Sequence, residues 1–301
     1  MTPGDERGVR VLAVVRELST WCPPNEAARD LLTHMGAYTD VLVERWVPDD
    51  GPTDAAMAWT DPHTLPSDAT DLFHAQGIRV SLVAGSGMQG ADWRNKPAED
   101  FASGVAEFVH ALSFDGVHLS CHGAAWEGDG AASDEARRVD WLCCVTQTLY
   151  DALPGLAISQ SHDASHFGPG DDARVRRVHR RVGGEVDFYV VRYEAAVRDS
   201  SDACRAVFSA GPGRFAGTAI DELLEAGYPA EKLVVGLPVA AADGPGHIEA
   251  RGLAMALRTR AEAQKPLVGL CGWYWATDRR VLGGRWSTRV ADAILGEPQE
   301  G

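Results

Sequence analysis

The sequence predicts an α/β protein, a single (β/α)8 TIM barrel without a large inserted domain. Three observations carry that prediction. Short apolar, β-branched runs alternate with helical segments along the whole chain, without a composition break. The runs are apolar on both faces, as parallel strands covered by helices must be. Connections from helix to strand are short, whereas those from strand to helix are long (roughly 47–66, 85–96, 122–132, 161–170 and 194–217), which gathers the long loops at the face where such barrels build their sites. A doubly wound open sheet is the alternative, but no Gly-rich phosphate fingerprint follows the first strand.

The elements follow in order. "VRVLAVVR" (9–16) is the first strand, and "NEAARDLLTHMG" is a helix opening at Asn25 and stopping at Gly36. "DVLVERWV" (40–47) precedes a helix running from its cap Ser67 to Gly77, and "IRVSLVA" (78–84) precedes one over 97–112. "GVHLSC" (116–121) leads to a long helix from Ser133, and "LAISQS" (156–161) to one over 171–182. "VDFYVVRY" (186–193) is followed by a helix from Thr218 to Gly227, and "KLVVGLP" (232–238) by one over 247–264. "LVGLCGWYW" (267–275) and a helix over 287–295 close the pattern. The expected barrel spans 9–296, with flexible ends at 1–8 and 297–301.

Composition excludes several partners. The formal net charge of −15 disfavours nucleic acid and anionic membranes. No apolar run approaches the roughly 18–20 residues of a membrane helix. The opening "MTPGDERGVR" has no basic and apolar export pattern, so the expected location is cytoplasmic. The six cysteines (22, 121, 143, 144, 204, 271) show no C-x-x-C spacing and read as reduced thiols. Seven of the nine tryptophans (21, 46, 59, 93, 126, 275, 286) fall at strand ends or in long loops, where they either cap the barrel or stack on a ligand; Trp141 and Trp273 read as core.

"IDELLEAGYPAEKLVVGLPVA" (220–240), with Gly227, Pro229, Lys232, Gly236 and Pro238 at its key places, resembles the sixth helix and seventh strand of the family-18 glycoside hydrolases, the chitinase-like barrels. "VDFYVVRYEA" resembles its sixth strand, which ends Met-x-Tyr-Asp; here Val191, Arg192, Tyr193 and Glu194 stand there. "GWYWATD" resembles its eighth strand, and the resemblance assigns Trp275 to the floor of the sugar pocket. The fourth strand departs. The family reads Asp-x-x-Asp-x-Asp-x-Glu, whereas this chain has Asp115, His118, Ser120 and His122.

Side chains alternate along a strand, so His118, Ser120 and His122 share the inward face, while Leu119 and Cys121 point outward. The resemblance implies that the lost Glu would have protonated the glycosidic oxygen and the lost Asp would have oriented an N-acetyl group. An imidazolium opposes the cationic intermediate of that reaction, which argues against chitinase chemistry. His122 instead has an ordinary pKa suited to acid/base work at neutral pH. Tyr193 and Glu194, at positions that the resemblance turns toward the reacting centre, are expected to assist as hydroxyl and carboxylate.

Ligand contacts are expected from His118, Ser120, Trp126, His162, Asp163, Arg192, Trp275, Arg16 and Glu44. His118 also reads as a satisfied interior histidine, and the strand-end charges also read as a structural ion-pair cluster. A metal site of His122, His162 and Asp163 is weakened by geometry, because strand residues four apart lie about 13 Å from each other. The expectation is therefore no metal and no cofactor. Two readings remain: a repurposed enzyme acting on a small polar or sugar-like molecule in the barrel mouth, or a non-catalytic binding protein.

Overall fold

Valine, isoleucine and leucine dominate the predicted strands, and their branched side chains pack well on both faces of a pleated sheet. The computed structural model describes residues 10–16, 37–47, 50–65, 67–85, 96–120, 132–266 and 268–295. It contains parallel strands β1 (Val11–Val15), β2 (Asp40–Val47), β3 (Arg79–Ala84) and β4 (Gly116–Ser120). They continue with β5 (Ala157–Asp163), β6 (Phe188–Arg192), β7 (Leu233–Pro238) and β8 (Gly269–Trp273). Strand β1 pairs with β2 on one side and with β8 on the other, which closes the sheet into a barrel. A two-residue antiparallel strand, Gly51–Pro52, extends the end of β2.

The predicted helices are present as Ala69–His74, Ala98–Ala111, Ala132–Ala152, Arg174–Val182, Ile220–Glu225, Ala250–Glu262 and Arg285–Leu295. The helix predicted over 25–36 lies outside the described residues. Short helices at Asp54–Thr60, Glu194–Arg198 and Ala203–Phe208 occupy stretches that read as loops, because each is too brief to display a helical period. No described helix is long and apolar enough to cross a membrane.

Alternation splits the core in two. Leu12, Val14, Leu42, Val83, Phe188, Val190, Val234 and Cys271 form a cluster inside the barrel, with Trp273 packed against it. Their strand neighbours, such as Ala13, Val43, Leu82, Leu119, Tyr189 and Val235, join the larger cluster between barrel and helices. Asp40 closes the bottom of the interior, pairing with Arg10 at 3.2 Å and Arg79 at 2.8 Å. At the upper end, the described residues line a cavity.

Candidate functional site

Among the described residues, this cavity has a volume of about 240 Å3 and is lined by the C-terminal ends of the strands. From β4 come His118 and Ser120, and from β5 comes Ser161; the Ser161 hydroxyl lies 3.3 Å from that of Ser120. The two serines meet because β4 and β5 pair Ser120 with Ser161 in register. Val14, Val83 and Pro238 supply apolar wall. The charged lining is Glu44, Arg192, Glu194 and Asp243.

Arg192 continues the inward series Phe188–Val190–Arg192 on β6. Its Nη2 and Nε donate to Oε1 of Glu194 at 3.1 and 3.3 Å, and its guanidinium lies 5.4 Å from the Trp273 ring centre. A cation so desolvated requires such partners. Arg16, at the rim, donates from Nη1 to the Tyr274 hydroxyl at 3.0 Å and places Nε 3.7 Å from Glu44.

His118 is 2% exposed. Its Nδ1 lies 2.8 Å from the Ser159 hydroxyl, and its ring stacks on Phe188 with centroids 6.3 Å apart. Burial, and secondly the charge of Arg192, push its pKa down to about 3. The imidazole is therefore neutral at physiological pH.

Four predicted site residues, Tyr193, His162, Trp275 and Asp163, are not among those that line the cavity. Tyr193 is fully buried outside the barrel, where its hydroxyl donates to the Thr218 carbonyl at 2.7 Å. With Arg192 inward, the next residue must point outward. His162 likewise falls on the outward face of β5, between Ser161 and Asp163; its Nε2 meets Gln160 at 2.9 Å among Phe167, Tyr189 and His166. Burial pushes its pKa well below the usual value. Trp275 is 3% exposed and packs in the outer cluster, because β8 ends at Trp273 and Trp275 begins a helix. Trp273, read from sequence as core, lines the cavity, the one indole to do so among the described residues.

Asp163 accepts from Ser165 N–H at 2.9 Å and from its hydroxyl at 2.6 Å, capping a short 3-10 turn rather than lining the cavity. His122 and Trp126 lie outside the described residues. Among the described residues, no group of three His, Cys, Asp or Glu is placed to hold a metal ion.

The sequence reading missed Ser161, Asp243, Trp273 and Tyr274. Pairing of Ser161 with Ser120 could have been found from strand alternation and register. Asp243 carries no such signal: it sits in the loop after β7, accepting from Ala240 N–H at 2.9 Å and from the Thr277 hydroxyl at 2.6 Å.

Structural comparison places this architecture among known barrels. A family-18 chitinase from Pseudoalteromonas aurantia superposes with a TM-score of 0.69 at 17% identity, covering 94% of this chain and 99% of the other. The fold is that of the family-18 chitinases. A fungal endo-β-N-acetylglucosaminidase of glycosyl hydrolase family 18 gives a TM-score of 0.69 at 15% identity, over 96% of this chain and 99% of its own. A family-18 chitinase from Cycas revoluta in complex with (GlcNAc)3 gives 0.64 at 10% identity, over 95% and 99%. No family model and no curated relative matches the sequence. The likeness to the chitinases thus resides in the barrel itself.

Proposed function

We propose that this chain is a repurposed chitinase-like enzyme that has lost glycosidase acid chemistry. In this reading it binds a small polar or sugar-like molecule at the barrel mouth and transforms it, with His122 as general acid or base. Of the two expected assisting groups, Glu194, just beyond β6, is the one that lines the cavity, and Tyr193 faces away from it. The reaction classes open to His122 with Glu194 are hydrolysis, elimination, cyclisation and isomerisation. The observation that carries the reading is the cavity lining: Glu194 held by Arg192 at 3.1 Å in the same cavity as His118 and Ser120, where the chitinase pattern has two Asp. A volume of about 240 Å3 suits a small molecule. The (GlcNAc)3 bound by the Cycas chitinase supports a carbohydrate-like occupant.

A second reading, a non-catalytic binding protein, is favoured by His118. It is held neutral by burial and cannot serve as the lost acid near pH 7. A metabolite library screened by thermal stabilisation, followed by mass spectrometry of each hit, separates the two. The enzyme reading expects a stabilising compound to be consumed and His122→Ala to slow turnover by roughly 10²–10⁴-fold. A ligand recovered unchanged points to the binding protein, and undiminished turnover in the variant removes His122 from the chemistry. Cleavage of N-acetylglucosamine oligomers overturns the loss of glycosidase activity.

A further inference from the structure

The cavity lining carries polar atoms that nothing satisfies. Among the described residues, Nη1 of Arg192, Nε1 of Trp273 and Oε2 of Glu194 are shut off from solvent and have no hydrogen-bond partner, and all three side chains line the cavity. Two of these atoms are donors and one is an acceptor. They belong to one stretch of wall. Arg192 donates through Nε and Nη2 to Oε1 of Glu194 at 3.3 and 3.1 Å, and its guanidinium lies 5.4 Å from the Trp273 ring centre. Between β6 and β8, strand β7 places Gly236 in register with Arg192, with no side chain to hold guanidinium and indole apart.

A buried polar atom without a partner is costly, and a ligand in the adjoining cavity removes that cost. Each of the three is closed off as it stands, so a ligand meets them when the terminal torsions of these side chains turn toward the space they line. The partner they require has an oxygen that accepts from two N–H groups and a hydrogen to donate to a carboxylate. A carbonyl oxygen, with two lone pairs, meets the first demand, and an N–H beside it meets the second. Because Glu194 is bonded to Arg192, donor and acceptor meet the ligand on one side. A cis amide presents C=O and N–H on one edge, whereas the trans amide of an acetamido group presents them on opposite edges. Charge selects a neutral group. Arg192 is already balanced by Glu194, while Asp243 and Glu44, the latter ion-paired with Arg16, bring further carboxylates to the lining.

We propose that the cavity binds a small neutral molecule through a cis-amide edge, that of a lactam, a cyclic ureide or a primary carboxamide. Its carbonyl accepts from Nη1 of Arg192 and Nε1 of Trp273, and its N–H donates to Oε2 of Glu194. This names the ligand class of the proposed site and rests on the small-polar-ligand reading. An acetamido sugar reaches only half of that set at once. A carboxylate ligand has no N–H for Glu194 and meets like charge there.

NMR of the indole N–H resonances of the full chain tests this, with Trp273→Phe assigning the Trp273 signal. The probes, titrated at millimolar concentration and pH 7, are hydantoin, its N,N′-dimethyl derivative, N-methylacetamide, N-acetylglucosamine and acetate. Hydantoin is expected to shift the Trp273 resonance and to bind at least roughly tenfold more tightly than the other four. Trp273→Phe, which keeps a ring in the wall, and Glu194→Gln should each weaken hydantoin by roughly tenfold. Because Trp273 and Glu194 lie on different elements, a folding defect in one variant leaves the other informative. Equal or tighter binding of any of the other four probes, or unchanged hydantoin binding in the folded variants, overturns the cis-amide assignment and leaves the small-polar-ligand reading standing. Binding of none of the five also overturns the cis amide, and failure of the metabolite screen as well removes the underlying reading.

Discussion

A Cβ built on Gly236 would stand 2.7 Å from Cζ2 of Trp273 and 2.8 Å from Cγ1 of Val190. The missing side chain on β7 is what admits the indole to the cavity wall. Gly236→Ala is therefore expected to displace Trp273 and to cost about 1–3 kcal/mol through overpacking. A red- or blue-shifted tryptophan emission together with a lowered urea midpoint checks this; an unchanged spectrum and midpoint contradict it.

Trp273 and Trp275 should behave oppositely on truncation. Trp273→Ala opens the cavity wall and is expected to abolish ligand stabilisation of the fold. Trp275→Ala empties an outer-core position and is expected to cost about 3–5 kcal/mol whether or not ligand is present. Thermal melts of both variants, with and without a ligand from the screen, distinguish the two roles.

Removing the Tyr193 hydroxyl should affect stability alone. Tyr193→Phe leaves the buried Thr218 carbonyl short of a donor and is expected to cost about 1–2 kcal/mol. Ligand affinity should remain that of the wild type by calorimetry. A large loss of affinity would return Tyr193 to the cavity.

Acid should destabilise the fold through His118. Its folded-state pKa is lowered to about 3, so in the unfolded chain the ring binds a proton near pH 6.5 that the folded chain refuses. Stability is therefore unaffected above pH 6.5 and falls as pH drops from there toward about 3, by up to about 1.4 kcal/mol per pH unit. His162, also held neutral by burial, adds to the same trend. Urea midpoints at pH 7 and pH 5 should converge in His118→Leu relative to wild type. An equally steep pH dependence in that variant would show that other groups dominate.

Strand periodicity made the barrel legible, because eight two-faced apolar runs have few other ways to pack. The same periodicity located His118, Ser120 and Arg192, since each follows inward residues on its own strand. The family resemblance, rather than periodicity, assigned Tyr193 and Trp275 to the site, and the strand ends decide against both. Tyr193 follows Arg192 and faces outward, and Trp275 lies past the end of β8, where alternation no longer applies. Asp243 was hidden for a different reason: its place depends on how the β7 loop folds back. There Gly246 passes so close to Glu194 that a Cβ would lie 2.5 Å from the Glu194 Cα. No local pattern encodes a contact between segments that far apart in the chain.

Neighbouring residues on one strand belong to separate clusters: Val14 and Val83 pack inside the barrel, while Ala13, Val15, Leu82 and Ala84 pack against helices. Ligand choice and folding yield are therefore traits that can be selected independently. A library randomised only at Val14, Val83, Ser120 and Ser161 would rewrite the cavity wall and leave the helix-facing surface intact, so most of its members should still assemble the barrel.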